Sequence, residues 1–206
     1  MNMERPSAIV LGHSFVHGCY QHLTARSDLS PRRITHSLRL SNLLSKLHFH
    51  GLRGAMITDP TFSFPASLLH AAQPTIPILD FGTNDIVKGQ DPLHIAVTLY
   101  ELAEQLIKDF NISRVAICSV IPRHAGLRRI TPSHFANQAH KLNHYLKAMC
   151  DGDPKITYHV HPGFWKSHYC AWSRDGIHPN TVTGRQLYIR SLRKAIFKLL
   201  PKHNHP

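Results

Sequence analysis

The chain has 206 residues, 42% of them apolar and 17% charged, with 24 Lys+Arg against 12 Asp+Glu for a formal net charge of +12. That composition excludes a disordered chain, and the length suits one domain over 1–206, with a core from about 7 to about 200 and a short basic C-terminal tail. The positive balance favours polyanionic partners such as RNA, DNA or an anionic membrane surface, and carries no information about fold.

In chain order, Ser7–Leu11 reads as a buried strand that ends in Gly12-His13-Ser14, and Phe15–Ala25 reads as a helix. Arg26–Ile34 is rich in Ser, Pro and Arg and reads as a loop. Leu38–Leu47 places Leu40, Leu43, Leu44 and Leu47 at helical spacing, and His48–His50 forms a short strand before Gly51. Phe64–Ala72 is a short helix, and Ile76–Phe81 is a compact buried strand closed by Gly82. Leu93–Phe110 is an amphipathic helix with Ile95, Leu99, Leu102, Leu106 and Phe110 on one face. Val115–Ile121 is a strand stopped by Pro122. Ser133–Met149 is a helix with Ser133 as its cap, Ile156–Val160 a strand, and Thr181–Leu200 a final helix ended by Pro201.

Strands separated by helices imply crossover units and a mainly parallel sheet of about five strands with helices on both faces, a three-layer α/β/α sandwich. In such sheets ligands bind beyond the carboxyl ends of the strands. Ser14 and Asn84 both follow strands, so both are expected on that edge.

No stretch approaches the ~20 apolar residues of a membrane span. Met1–Pro6 has no apolar run of signal-peptide length behind it, so an intracellular protein, cytoplasmic or nuclear, is expected. Cys19, Cys118, Cys150 and Cys170 form no C-x-x-C pair and read as free thiols.

Three short blocks carry candidate chemistry. Ser14, at a strand-to-helix turn, has its hydroxyl at the sheet edge and its backbone N–H at a helix N-terminus, where a developing oxyanion is stabilised. A serine there also serves simply as a helix cap. Asn84, in Gly82-Thr83-Asn84-Asp85, can donate a side-chain N–H to an oxyanion, although Gly, Asn and Asp equally mark a turn. Asp175 and His178, in Asp175-Gly176-Ile177-His178-Pro179-Asn180, stand three apart on one tight turn. Histidine is the usual base for a serine nucleophile, and a carboxylate sets its tautomer.

Taken in order, these blocks resemble the SGNH hydrolase superfamily, the GDSL-like esterases and lipases. Gly12-His13-Ser14 is similar to the first block, Gly82-Thr83-Asn84-Asp85 to the third and Asp175-Gly176-Ile177-His178 to the fifth, and the resemblance runs from Ala8 to about Leu192. It implies a flavodoxin-like fold and ester hydrolysis of a small-molecule or lipid ester through an acyl-enzyme, with no cofactor and no metal. It further implies Ser14, Asp175 and His178 as the catalytic triad and Ser14, Gly54 and Asn84 as the oxyanion hole, Gly51 being the second candidate glycine. Arg123 after a strand and Trp172 before Asp175 agree with it. The wording Gly-His-Ser-Phe-Val and Asp-Gly-Ile-His-Pro-Asn is similar to esterase-like domains of animal retrotransposon-derived proteins. Family members usually carry Asp between Gly and Ser, where this chain has His13.

The alternative function is a catalytically weak or inactive domain of the same type acting as a basic nucleic-acid-binding or protein-interaction module. Arg190, Lys194 and Lys198 recur every four residues on the last helix with Arg193 beside them, over an apolar face of Tyr188, Leu192, Ile196 and Leu199. His48-x-His50 and His159-x-His161 lack the context of a zinc site and read as structural.

Overall fold

The computed structural model describes residues 5–24, 38–63, 66–125, 130–166 and 171–200. The elements run β1 (Ser7–Gly12), α1 (Ser14–Thr24), β2 (Lys46–Gly51), α2 (Ala66–Ala72), β3 (Ile76–Asp80), α3 (Thr83–Val87), α4 (Pro92–Asp109), β4 (Val115–Cys118), α5 (Pro132–Cys150), β5 (Ile156–His159) and α6 (Gly184–Leu199). The five strands form one parallel sheet in the order β2-β1-β3-β4-β5.

Strand alternation divides the core. On β1, Ala8 and Val10 face α1 and α6, packing with Val16, Leu23, Leu192 and Ile196. Ile9 and Leu11 face the opposite side and pack with Leu69 of α2, Leu99 of α4 and Leu142 of α5. With both faces covered, the central strands are apolar throughout, which is why they read as continuous buried runs.

The strand order reverses between β1 and β3. Gly12 lies opposite Gly51 of β2 on one side and Asp80 of β3 on the other, so the three strands end level. A crevice opens at such a reversal, beyond the carboxyl ends of the strands. The close approach of β2 to α1 there requires Gly51, because a Cβ on it would sit 2.1 Å from the backbone N of His17.

Three expectations are corrected. Leu38–Leu47 is not a helix but a pair of turns leading into β2: Leu38 and Arg39 take φ of 52° and 57°, which no right-handed helix contains. Its leucines still bury, since Leu38, Leu40 and Leu44 enter the core from turns. The cap of α5 is Thr131, whose Oγ1 accepts from the His134 N–H at 3.2 Å, and not Ser133; Pro132 occupies the first helical position, so the cap falls one residue before it. The final helix starts at Gly184 rather than Thr181, because the Asn180 side chain holds the N–H groups of Val182, Thr183 and Gly184 in a turn. The Arg26–Ile34 loop lies outside the described residues, as do Cys170 and the first two residues of the Phe64–Ala72 helix.

Among the described residues no helix is long and apolar enough to cross a membrane. Cys19, Cys118 and Cys150 are free and buried. Burial pushes the Cys19 thiol up to about 12 and the Cys150 thiol to about 11, and raises Cys118 well above its usual value, so none is a ready nucleophile.

Candidate active site

Ser14 opens α1 directly beyond β1. Its backbone N–H is among the first of the helix, which have no acceptor within the helix. Its Oγ lies 3.2 Å from Nε2 of His178, and Nδ1 of His178 lies 2.7 Å from Oδ2 of Asp175. The other carboxylate oxygen, Oδ1, accepts from the backbone N–H of Ile177 at 2.8 Å and of His178 at 2.9 Å. Partial burial pushes the Asp175 carboxyl up, but the His178 N–H, its ring and the Ile177 N–H outweigh this and hold it below the usual carboxylate range. Residues 164 positions apart in sequence are thus joined in one hydrogen-bonded line.

Backbone contacts fix the Asp175–His178 turn. The Gly176 carbonyl accepts from the N–H groups of His124 and Ala125 beyond β4, at 2.8 and 3.1 Å. Gly176 takes φ +62°, and a Cβ there would meet Ala125 Cβ at 2.7 Å. Ser173 N–H donates to the His178 carbonyl at 2.8 Å, and Trp172 bridges to Pro179. Phe15 stands edge-on to the His178 ring, with centroids 5.6 Å apart.

The Gly82-Thr83-Asn84-Asp85 block opens the short helix α3, with Gly82 at its N-cap. Both polar side chains hold the loop that follows β2. Asn84 Nδ2 donates to the Ala55 carbonyl at 2.9 Å, and Asp85 Oδ1 accepts from the backbone N–H and the hydroxyl of Thr58, each at 2.9 Å. Burial raises the pKa of Asp85 against those two bonds. That loop carries Gly54, at φ +73° with open space where a Cβ would be. Ser14, Gly54, Asn84 and His178 line one cleft of about 510 Å³, a ligand-sized volume. Gly51 does not line it and packs against α1 instead.

Beneath the serine lies a buried polar group that the sequence reading did not find. Asp80, at the end of β3, accepts from the Tyr188 hydroxyl and lies 3.7 Å from His161 Nε2. Ser191 Oγ is 2.8 Å from both His159 Nε2 and His161 Nδ1, and the His161 N–H donates to Ser119 Oγ at 2.9 Å. His13 is buried beside this group; its Nδ1 accepts from the Phe15 N–H at 3.4 Å. Burial lowers the His13 pKa to about 4, partly opposed by Asp80, so the ring is neutral at neutral pH. Burial works against the Asp80 carboxylate, yet His161, His13 and the Tyr188 hydroxyl hold its pKa below the usual value. A buried carboxylate thus sits at the end of β3, one strand away from the Gly12-His13-Ser14 block in which the resembling family carries Asp. The signal was present: a lone Asp inside the otherwise apolar run 76–81.

Arg190, Arg193, Lys194 and Lys198 are exposed along α6, and none lines the cleft. His159 and His161 are occupied with Ser191. Among the described residues no group of three or more His, Cys, Asp or Glu could hold a metal ion.

The fold is that of the GDSL-like hydrolases. A GDSL-like lipase from Bacteroides thetaiotaomicron superposes with a TM-score of 0.69 at 17% identity, covering 95% of this chain and 89% of that one. TesA matches with a TM-score of 0.64 at 17% identity over 94% and 99% of the two chains. The psychrotrophic esterase EstA from Pseudoalteromonas matches at 0.62 and 14% over 95% and 98%. No protein-family model matches the chain, and no curated protein matches it significantly.

Proposed function

We propose that the protein is a serine ester hydrolase of the SGNH type, working through an acyl-enzyme. The observation that carries this reading is the line Asp175–His178–Ser14, with steps of 2.7 and 3.2 Å, opening into a cleft at the reversal point of the sheet. Ser14 Oγ attacks the ester carbonyl carbon as His178 Nε2 takes its proton, and Asp175 stabilises the imidazolium that results. The tetrahedral oxyanion receives the backbone N–H groups of Ser14 and Gly54 and the Asn84 amide. That amide has two N–H groups. One goes to Ala55, and the other has no protein acceptor among the described residues. Collapse breaks the bond to the alcohol oxygen, which leaves with the proton from His178. A water, deprotonated by His178, then attacks the acyl carbon and frees the acid and Ser14.

Ser14→Ala is expected to abolish hydrolysis of a short-chain p-nitrophenyl ester and labelling by a fluorophosphonate. A Ser14→Ala protein as active as wild type would rule out the nucleophile. The similarity to esterase-like domains of animal retrotransposon-derived proteins rests on the wording of the first and fifth blocks alone.

The second reading, a weak or inactive domain serving as a basic nucleic-acid-binding or protein-interaction module, draws on the exposed Arg190, Arg193, Lys194 and Lys198 with Phe197, 59% exposed, among them. Against inactivity stands His13: it is neutral, buried and packed against Phe15, leaving Asp175 to His178.

A further inference from the structure

The cleft in front of Ser14 is lined by three arginines, Arg53, Arg123 and Arg185, while no aspartate or glutamate is among the described residues that line it. The ion pairs among the described residues, His161 with Asp80 and His178 with Asp175, leave all three guanidinium groups without a carboxylate partner.

Arg123 is the most telling of them. It is only 6% exposed, its Nε has no hydrogen-bond partner, and its guanidinium lies over the Phe135 ring at 5.3 Å. Burial lowers its pKa to about 10 against the pull of Asp175, which still leaves it cationic at neutral pH. Asp175, the acid that acts on it, already accepts from two N–H groups and the His178 ring. A desolvated cation with no committed counter-charge is costly unless an anion arrives to pair with it.

Arg185 stands in the first turn of α6 and reaches across to α1. A Cβ placed on Gly18 would lie 3.8 Å from its Nη2, an ordinary contact distance, which puts that guanidinium beside α1 at the wall of the cleft. A fork of this kind matches a carboxylate or phosphate in two hydrogen bonds.

We propose that the cleft takes an ester bearing a negatively charged group, a carboxylate or a phosphate, which Arg185 and Arg123 receive while the ester carbonyl lies at Ser14. This rests on the ester-hydrolase reading. Arg53, exposed at the rim, adds to the field that draws such a substrate in.

Two substrate pairs separate the sources of charge. p-Nitrophenyl hemiglutarate against p-nitrophenyl valerate places a carboxylate on the acyl side. 1-Acetylglycerol 3-phosphate against monoacetin places a phosphate on the alcohol side. In at least one pair the anionic member is expected to have the higher kcat/KM by about tenfold or more, the scale of one hydrogen bond to a charged group. Arg185→Gln should collapse that ratio. Calorimetry on Ser14→Ala with monomethyl glutarate or glycerol 3-phosphate should detect binding that Arg185→Gln weakens by a similar factor. Equal or better use of both neutral esters, or a ratio that Arg185→Gln leaves intact, overturns the proposal while the hydrolase reading stands. If wild type cleaves none of the four, the hydrolase reading fails, and the binding measurement alone decides the anion site.

Discussion

At the scale of single residues, the site depends on side chains that are absent as well as on those present. Gly176 is the clearest case. Its φ of +62° and the 2.7 Å gap that a Cβ would leave to Ala125 mean that any side chain displaces the turn joining Asp175 to His178. Gly176→Ala should therefore lower kcat on an ester substrate by about 10²-fold, the usual cost of misplacing a catalytic group by ~1 Å. The far-ultraviolet circular dichroism should stay as in wild type. Retained kcat in that variant would mean the turn tolerates the displacement. Asn84 and Asp85 show how a short motif divides its work. Asp85 ties the 55–58 loop down through Thr58, and Asn84 touches both that loop and the cleft. The sequence reading weighed an oxyanion donor against a turn; the block in fact makes a short helix whose two polar side chains position the loop that carries Gly54.

At the scale of elements, helices are fixed to the sheet by polar contacts as well as by packing. Asn143, in the middle of α5, accepts from the Val120 N–H at 2.8 Å and donates to the Val120 carbonyl at 2.9 Å. It thereby satisfies the backbone just beyond β4, near the segment to which Gly176 is bonded. Asn143→Leu leaves both buried backbone groups unpaired, at about 1–3 kcal/mol each. Chemical denaturation should show a loss of stability on that order, and an unchanged midpoint would mean that water replaces the amide. Elements with clear periodicity were legible in the sequence: β1, β3, α4 and α5 fall within a few residues of their expected ends. Leu38–Leu47 was not, because helical spacing of leucines also arises when consecutive turns each direct a side chain into one core. The left-handed backbone at Leu38 and Arg39 and the pairing of Lys46 and Leu47 with β1 separate the two cases, and spacing encodes neither.

At the scale of the whole molecule, the buried histidines couple folding to pH. Burial lowers His13 to about 4 and His159 to about 3, the latter helped by His161 and Lys198, from a value of 6.5 in an unperturbed chain. Between these values the unfolded state binds more protons than the folded one, so stability rises with pH. Their contribution is fully present above about pH 6.5 and is lost as the pH falls through about 4 and then about 3. The thermal midpoint should drop steadily on acidification from about pH 7 to about pH 4.5, and His13→Asn should flatten part of that slope; a midpoint constant over this range would contradict a neutral, buried His13. The sequence by itself determined the alternation of strands and helices, the parallel sheet and the order of the three blocks, because periodicity and local turn chemistry are written in neighbouring residues. Tertiary structure alone decided that Ser14 and His178 come within 3.2 Å, that Gly54 rather than Gly51 borders the cleft, and that Asp80, Tyr188 and His161 gather beneath it. These depend on how strands far apart in the chain end level at one edge, a property of the sheet's register that no local pattern carries.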